Sequence, residues 1–327
     1  MSGPTTPSTP PTPPTPAIEV DFPNLDRWAA GNAGMPYVWT FPGKAAGPHV
    51  VLQALTHGNE VCGAIVLDWL LREKFRPLRG AVTIVFANIA AYHAFDHGDP
   101  FASRCVDEDF NRLWTAEVLD GPRDSVDLGR ARTLRPVYDR ADYLLDLHSM
   151  TDPCPPLSLA GRRPKGLELA LALGYPEHIV IDEGHSAGRR LRDYAHFDAP
   201  DDPRNALLIE CGQHWEKAAP DIARQATLRF LRHFGMVAPA FLDAHLDPAS
   251  RPPQQVIEVT AAVTIHSDHF AFALPVEGLA TVPAAGTLLA RDGDAEVRTP
   301  YDHCVLIMPT RRPKVGETAV RLGRHRR

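Results

Sequence analysis

His57 and Glu60, in the run His57-Gly58-Asn59-Glu60, stand three positions apart where a buried strand gives way to a helix. The stretch His49-Val50-Val51-Leu52-Gln53-Ala54-Leu55 is apolar enough to be a strand covered on both faces. From Glu60 the period changes: Val61, Ile65 and Trp69 form one helical stripe, with Cys62, Val66 and Leu70 beside it. An imidazole at the strand end and a carboxylate in the first helical turn can face one ion. Both are ligands that Zn²⁺ takes where a third protein ligand leaves one position for water. Spacing alone decides nothing, because 15 His and 40 acidic residues among 327 give about two His-x-x-acid pairs by chance. A surface His beside a Glu that complements a helix dipole is the commoner arrangement. A metal reading therefore needs a second imidazole and a free carboxylate.

Both are found at strand ends. His148 closes the run that begins at Tyr143, and Asp146, two back on the same face, is placed to orient its ring as carboxylates do for metal-bound imidazoles. Glu210 closes Ala206-Leu207-Leu208-Ile209, and a carboxylate after so apolar a run is expected to be paired or bound. His57, Glu60, His148 and Glu210 thus fall on the carboxyl edge of the strands, where open α/β sheets build ligand sites. The segment Arg104-Cys105-Val106-Asp107-Glu108-Asp109-Phe110-Asn111-Arg112 adds two guanidinium groups around three acids and an Asn. Guanidinium binds carboxylates in a bidentate way and polarises carbonyl oxygens, although a loop whose charges pair among themselves is the ordinary use of such a run.

The elements that must position these groups read as α/β. Between residues 18 and 247, strand-like runs (His49–Leu55, Val82–Ala87, Tyr143–His148, Leu157–Leu159, His178–Ile181, Ala206–Glu210) alternate with amphipathic segments, ending in a long helix from about Lys217. The expectation is a mixed, mostly parallel sheet flanked by helices. After a linker at Pro248, Pro252 and Pro253 only short strand runs follow, so residues 254–327 read as a small all-β domain whose exposed edge offers a surface for pairing subunits. Residues 1–17, mostly Pro and Thr, read as a disordered tail. A formal charge of −6 gives no footprint for nucleic acid. No apolar run reaches a membrane span, and the first residues lack the charged and apolar regions of a leader. Five cysteines without paired spacing fit a reducing cytoplasm rather than a disulfide framework. His266-Ser267-Asp268-His269 has metal-like spacing but reads as a turn, and His178, His185, His196, His214 and His233 read as surface or capping residues.

Taken in order, His57-Gly58-Asn59-Glu60, then Arg104 with Asp107, Asp109, Asn111 and Arg112, then Asp146-Leu147-His148-Ser149, then Glu210, resemble the aspartoacylase/succinylglutamate desuccinylase family of the zinc carboxypeptidase-like fold, over about residues 49 to 212. The resemblance implies one Zn²⁺ per chain held by His57, Glu60 and His148. Glu210 would activate the metal-bound water and protonate the leaving amine. Arg104 would polarise the scissile carbonyl, and Asn111 and Arg112 would bind a substrate carboxylate. The implied partner is a small N-acyl amino acid or related amide. A carboxypeptidase acting on short peptides and a non-catalytic metal-binding member are the alternatives, and retention of His57, Glu60, Arg104, His148 and Glu210 speaks against the last. The family's further Arg and Tyr for a second substrate carboxylate have no clear counterpart here. The stretch from His196 to Arg204 is acidic and Pro-rich, and only Arg189, Arg190, Arg192, Arg311 and Arg312 offer themselves. The acyl pocket is therefore expected to differ from both named activities.

Overall fold

A computed structural model describes residues 14–185, 187–248 and 253–326. Residues 1–13 of the Pro/Thr-rich tail and Arg327 of the basic end lie outside the described residues. The described residues divide into two compact units, one of residues 18–150 and 155–256, the other gathering residues 14–17, 151–154 and 257–326.

The larger unit holds β1 (Val38–Pro42), β2 (Ala45–Ala54), β3 (Arg79–Phe86), β4 (Tyr143–Met150), β5 (Leu157–Leu159), β6 (His178–Ile181) and β7 (Asn205–Gln213), in the order β1-β3-β2-β4-β7-β5-β6. Strands β3, β2, β4 and β7 are parallel. Antiparallel β1 borders β3, β5 runs against β7, and β6 is parallel to β5. The helices are α1 (Cys62–Arg72), α2 (Ile89–His93), α3 (Ala116–Leu119), α4 (Val126–Asp139), α5 (Pro164–Leu173), α6 (Ala219–His233) and α7 (Pro239–His245). The mixed α/β architecture matches the sequence expectation.

Strand period 2 sorts the core into two layers. Val50, Leu52, Ala54, Leu145, Leu147, Leu207 and Ile209 pack with α1, α5 and α6. Val51, Leu144 and Ala206 pack with Leu128, Ala131, Leu134 and Tyr138 of α4. The second face carries the chemistry, because Gln53, Asp146, His148 and Glu210 continue its alternation toward the carboxyl edge.

The structure moves three boundaries. Strand β1 was not anticipated: it is a short edge strand ending in Pro42, where a missing N–H costs least. Helix α1 begins at Cys62 with Val61 as its N-cap, so Glu60 lies in the loop ahead of the first turn rather than within it. Strands β4 and β7 run past His148 and Glu210 to Met150 and Gln213, with a register shift after His148. Gly212, at φ +101°, supplies the backbone that this irregularity needs. Bulges of this kind re-aim side chains next to functional sites.

In the smaller unit, β8 (Gln255–Thr264) pairs with β14 (Thr318–His325), β14 with β13 (Cys304–Ile307), and β13 with β10 (Thr281–Val282), all antiparallel. A second sheet has the order β12 (Ala295–Arg298), β11 (Leu288–Asp292), β9 (Phe270–Phe272). Strands β9 and β12 were not anticipated. No helix occurs among the described residues beyond 256. His266 to His269 form a turn, pinned by Asp292 accepting from the His266 N–H (2.7 Å) and the Ser267 hydroxyl (2.6 Å). Among the described residues, no helix is long and apolar enough to cross a membrane.

Candidate metal centre

Leu55, at φ +61°, turns the chain out of β2 and delivers the loop 56–61 over the sheet edge. The loop is fixed from three sides. The Gly58 N–H donates to the Arg104 carbonyl (3.0 Å), the Trp215 indole donates to the Asn59 carbonyl (3.0 Å), and the Glu60 N–H turns back to the His57 carbonyl (3.2 Å). Gly58 is required by close approach, since a Cβ there would lie 2.3 Å from the Ala91 carbonyl carbon.

This brings His57 and Glu60 against His148. His57 Nδ1 lies 2.7 Å from Glu60 Oε1, and His148 Nδ1 lies 2.8 Å from Glu60 Oε2. The two rings stand 5.1 Å apart, nearly edge to face. One ligand atom from each of the three residues falls within 4.8 Å of the others, the only such group of His, Cys, Asp or Glu among the described residues. Each ring's second nitrogen meets a carboxylate: His57 Nε2 at 3.0 Å from Asp109 Oδ1, and His148 Nε2 at 2.9 Å from Asp146 Oδ2. Asp146 is itself held by the Thr56 hydroxyl (2.7 Å) and the Gln53 amide (3.1 Å). Two imidazoles and a carboxylate, each ring with a carboxylate beside its second nitrogen, are the donor set a divalent cation such as zinc takes.

The electrostatics express the same crowding. Burial opposes ionisation of Glu60, yet the two imidazoles hold its carboxyl well below the usual range. His57 and Arg104 do the same for Asp109 against its burial. His148 is pushed well up by Asp146 and Glu60, against its own burial. Glu210 is the exception. It lies opposite His148 in the β4–β7 register, nearly buried, and its Oε2 has no hydrogen-bond partner. Burial above all, with the Glu60 charge adding to it, raises its pKa to about 8. An acid poised near neutrality, oriented by a rigid sheet, is what proton transfer at neutral pH requires.

The arginine loop arrives from across the sheet edge. Arg104 reaches Glu60 Oε1 (3.4 Å) and Asp109 Oδ2 (3.0 Å), with its guanidinium part-exposed at the rim. Arg112 donates to the Asn111 carbonyl (2.8 Å) and lies 3.7 Å from Asp109 Oδ2. Asn111 is buried, and its Oδ1 accepts from the Leu191 N–H (2.8 Å), leaving the amide nitrogen as its remaining donor.

Other residues turn out differently from the sequence reading. Arg190 and Arg192 are not on a solvated helix face: both are buried, with Arg190 forked onto Asp182 (2.8 and 2.7 Å) and Arg192 on Asp193 (2.6 Å). Neither cation is available to a substrate. Arg189 donates to the Asp193 carbonyl (3.0 Å), and Arg312, in the smaller unit, lies 3.2 Å from Asp152. His196 and His214 are buried rather than surface residues. His214 Nδ1 lies 2.9 Å from the Ser149 hydroxyl, and burial lowers its pKa to about 4. The sequence reading gave no role to Asp109, Gln53, Thr56 or His214. Gln53 carried a signal, as an amide inside an otherwise apolar strand. The others become visible only once distant segments are brought together.

Residues 46–234 match the family model described as the Succinylglutamate desuccinylase/Aspartoacylase catalytic domain. A probable aspartoacylase of Parasynechococcus marenigrum (strain WH8102) is 35% identical over 148 residues, 40% of this chain and 45% of that relative. A succinylglutamate desuccinylase of Shewanella sp. (strain MR-7) is 22% identical over 295 residues, 85% of this chain and 83% of that protein. Among solved structures, the succinylglutamate desuccinylase of Vibrio cholerae superposes with a TM-score of 0.67 at 16% identity, covering 89% of this chain and 86% of that one. The product-bound ectoine utilization protein EutE (DoeB) of Ruegeria pomeroyi gives 0.63 at 18% identity, covering 88% and 87%.

Proposed function

Because the chain belongs to the succinylglutamate desuccinylase/aspartoacylase family, we propose that it is a zinc-dependent deacylase that hydrolyses the amide bond of an N-acyl amino acid or related small amide. The observation that carries this is the convergence of the His57 and His148 Nδ1 atoms on Glu60, with the protonatable, unpartnered carboxyl of Glu210 opposite His148. His57, Glu60 and His148 would hold one zinc ion per chain, which would supply a Lewis acid and lower the pKa of water toward neutrality.

The chain's own residues do the rest. Asp109 hydrogen-bonds the His57 ring and Asp146 lies beside the His148 ring, and both rings present Nδ1 to Glu60. Glu210 accepts a proton from the attacking water and returns it to the departing amine nitrogen, a shuttle suited to a buried carboxyl whose Oε2 is taken by no other side chain. Arg104 polarises the scissile carbonyl and stabilises the charge that develops on it, the job of an oxyanion-hole donor. Arg112, with the Asn111 amide nitrogen, holds the α-carboxylate of the amino acid. The enzyme works in the cytoplasm on a small molecule, in the zinc carboxypeptidase-like fold with a small C-terminal β-domain, whose exposed edge pairs subunits.

Two of the five candidate cations for a second substrate carboxylate, Arg190 and Arg192, are committed to Asp182 and Asp193, which weighs against a dicarboxylic substrate. The preferred acyl amino acid is therefore neither N-acetylaspartate nor succinylglutamate. Metal analysis of the purified protein, followed by a panel of N-acyl amino acids and short peptides, tests both levels. Hydrolysis by metal-free protein, or release of amino acids from peptides alone, would sink the deacylase reading. N-acetylaspartate or succinylglutamate as best substrate would sink only the narrower claim.

A further inference from the structure

We propose that Asp127 is a positioning residue for the metal centre. From the first turn of α4 it holds the loop that carries Arg104 and Asp109 against His57. By position Asp127 resembles any acid that complements a helix dipole, but such residues sit in solvent. This one is fully buried, and its carboxylate accepts four hydrogen bonds. Three come from successive backbone N–H groups of the loop: Val106 (3.3 Å, to Oδ1), Asp107 (2.7 Å, to Oδ2) and Glu108 (3.1 Å, to Oδ2). Successive N–H groups facing one point make an anion nest, and here the chain fills the nest with its own side chain. The fourth donor is the Asn88 amide.

The attachment is reciprocal. Asp107 Oδ2 accepts from the Val126 N–H (2.7 Å), and Glu108 Oε1 accepts from the hydroxyl of Ser125 (2.6 Å), the N-cap of α4. The first two acids of the Asp107-Glu108-Asp109 run thus face the helix, not a ligand, which accounts for charges the proposed reaction leaves unused. Asp109 is the next residue, with one oxygen 3.0 Å from His57 Nε2 and the other 3.0 Å from Arg104. The clamp also reaches the metal loop from behind, since the Asn88 N–H donates to the Leu55 carbonyl (2.7 Å) and the Arg104 carbonyl accepts from the Gly58 N–H (3.0 Å). A single carboxylate therefore ties α4, the arginine loop and the His57 loop into one unit.

The test is Asp127→Asn, which keeps size but, in either flip of its amide, turns a donor toward one of the two pairs of donors that meet the carboxylate. Asp142→Asn serves as a control: Asp142 accepts from the His49 N–H (2.7 Å) at the other end of the sheet. In metal-free protein, amide exchange at residues 106–108 should quicken at least roughly tenfold in Asp127→Asn and not in the control, because a buried acceptor is lost. Zinc affinity should fall by about 10- to 100-fold, the usual effect of disturbing groups that orient ligands. Turnover should fall with it, mainly in kcat. Unchanged exchange would overturn the proposal, as would faster exchange with wild-type zinc affinity. Only the turnover arm rests on the deacylase reading. If wild-type protein cleaves no N-acyl amino acid, that reading fails while exchange and zinc affinity still judge the clamp. Should Asp127→Asn fail to fold, the exposed Asp107→Ala must show the same two changes at smaller size, and their absence would overturn it equally.

Discussion

Two of the places where the larger unit buries charge are built on opposite plans. Around Arg190, two guanidinium groups face two carboxylates: Arg190 takes Asp182 in bidentate fashion and shares Asp193 with Arg192. Asp193 is accordingly driven down to about 2, the two arginines overcoming its burial. Around Glu60, four carboxylates (Glu60, Asp109, Asp146 and Glu210) gather about two imidazoles and two part-exposed guanidinium groups, Arg104 and Arg112, and Glu210 is driven up to about 8. A cluster that balances its own charge is scaffolding. One that leaves an excess of carboxylate in a dry site is cheaper to fold around a cation than alone. The difference teaches which buried charges to read as function: those whose neighbours do not answer them.

The sharpest way to break this comparison is to remove a ligand. His148→Ala should abolish stoichiometric zinc and all turnover, by metal analysis and activity assay together, whereas no change at the Arg190 cluster should alter metal content. Retention of tight zinc by His148→Ala would put the ion elsewhere. Next in size, Glu210→Gln should keep its metal and lose about 10²- to 10⁴-fold in kcat, the span attributed to general acid–base groups. Loss of metal from Glu210→Gln would instead make Glu210 a ligand and end its role as a shuttle.

The two clusters were also unequally legible. His57, Glu60, His148 and Glu210 could be found because strand ends are marked by where apolar runs stop, and chemistry collects on that edge. What sequence could not give was the geometry between segments. Asp109 belonged to a noticed run, but nothing local says that it faces His57 from 52 positions away. Asp127 looks like an ordinary helix-start acid until the Val106–Glu108 backbone is seen folded onto it. Arg190 and Arg192 read as exposed because charged residues usually are, and only their pairing with Asp182 and Asp193 makes burial tolerable. The alternating fold was readable because parallel strands are long apolar runs. Strands β1, β9 and β12 were not.

The balanced cluster makes its own prediction, smaller in effect on function but large on stability. Arg190→Ala leaves two buried carboxylates with one cation between them, and should cost about 3–5 kcal/mol in urea unfolding, the usual result of breaking a buried pair from one side. Metal content per folded molecule should stay at the wild-type value. A loss under 1 kcal/mol would mean that water reaches the cluster and that it is not scaffolding in the sense argued above.

The smallest effects are those of pH, and the two clusters should respond in opposite directions. The Asp193 pKa is depressed from 3.8 to about 2, so its contribution is complete above 3.8 and disappears as pH falls through 2. The Glu210 pKa is raised from 4.5 to about 8, so in metal-free protein the stability tied to its proton is complete below 4.5 and is lost as pH rises through 8. Melting temperatures of metal-free wild type, Glu210→Gln and Asp193→Asn across this range give the difference curves. The Glu210→Gln curve should climb relative to wild type between pH 4.5 and 8, reaching a gain of a few degrees, because an amide need not ionise in the dry site. The Asp193→Asn deficit should be constant above 3.8 and shrink toward pH 2. Zinc should erase the first slope and leave the second untouched, since a cation compensates the carboxylate at one site only. A Glu210→Gln curve parallel to wild type would show that Glu210 is ionised in the folded protein well below neutrality, and that the excess of negative charge around Glu60 is already met without a metal.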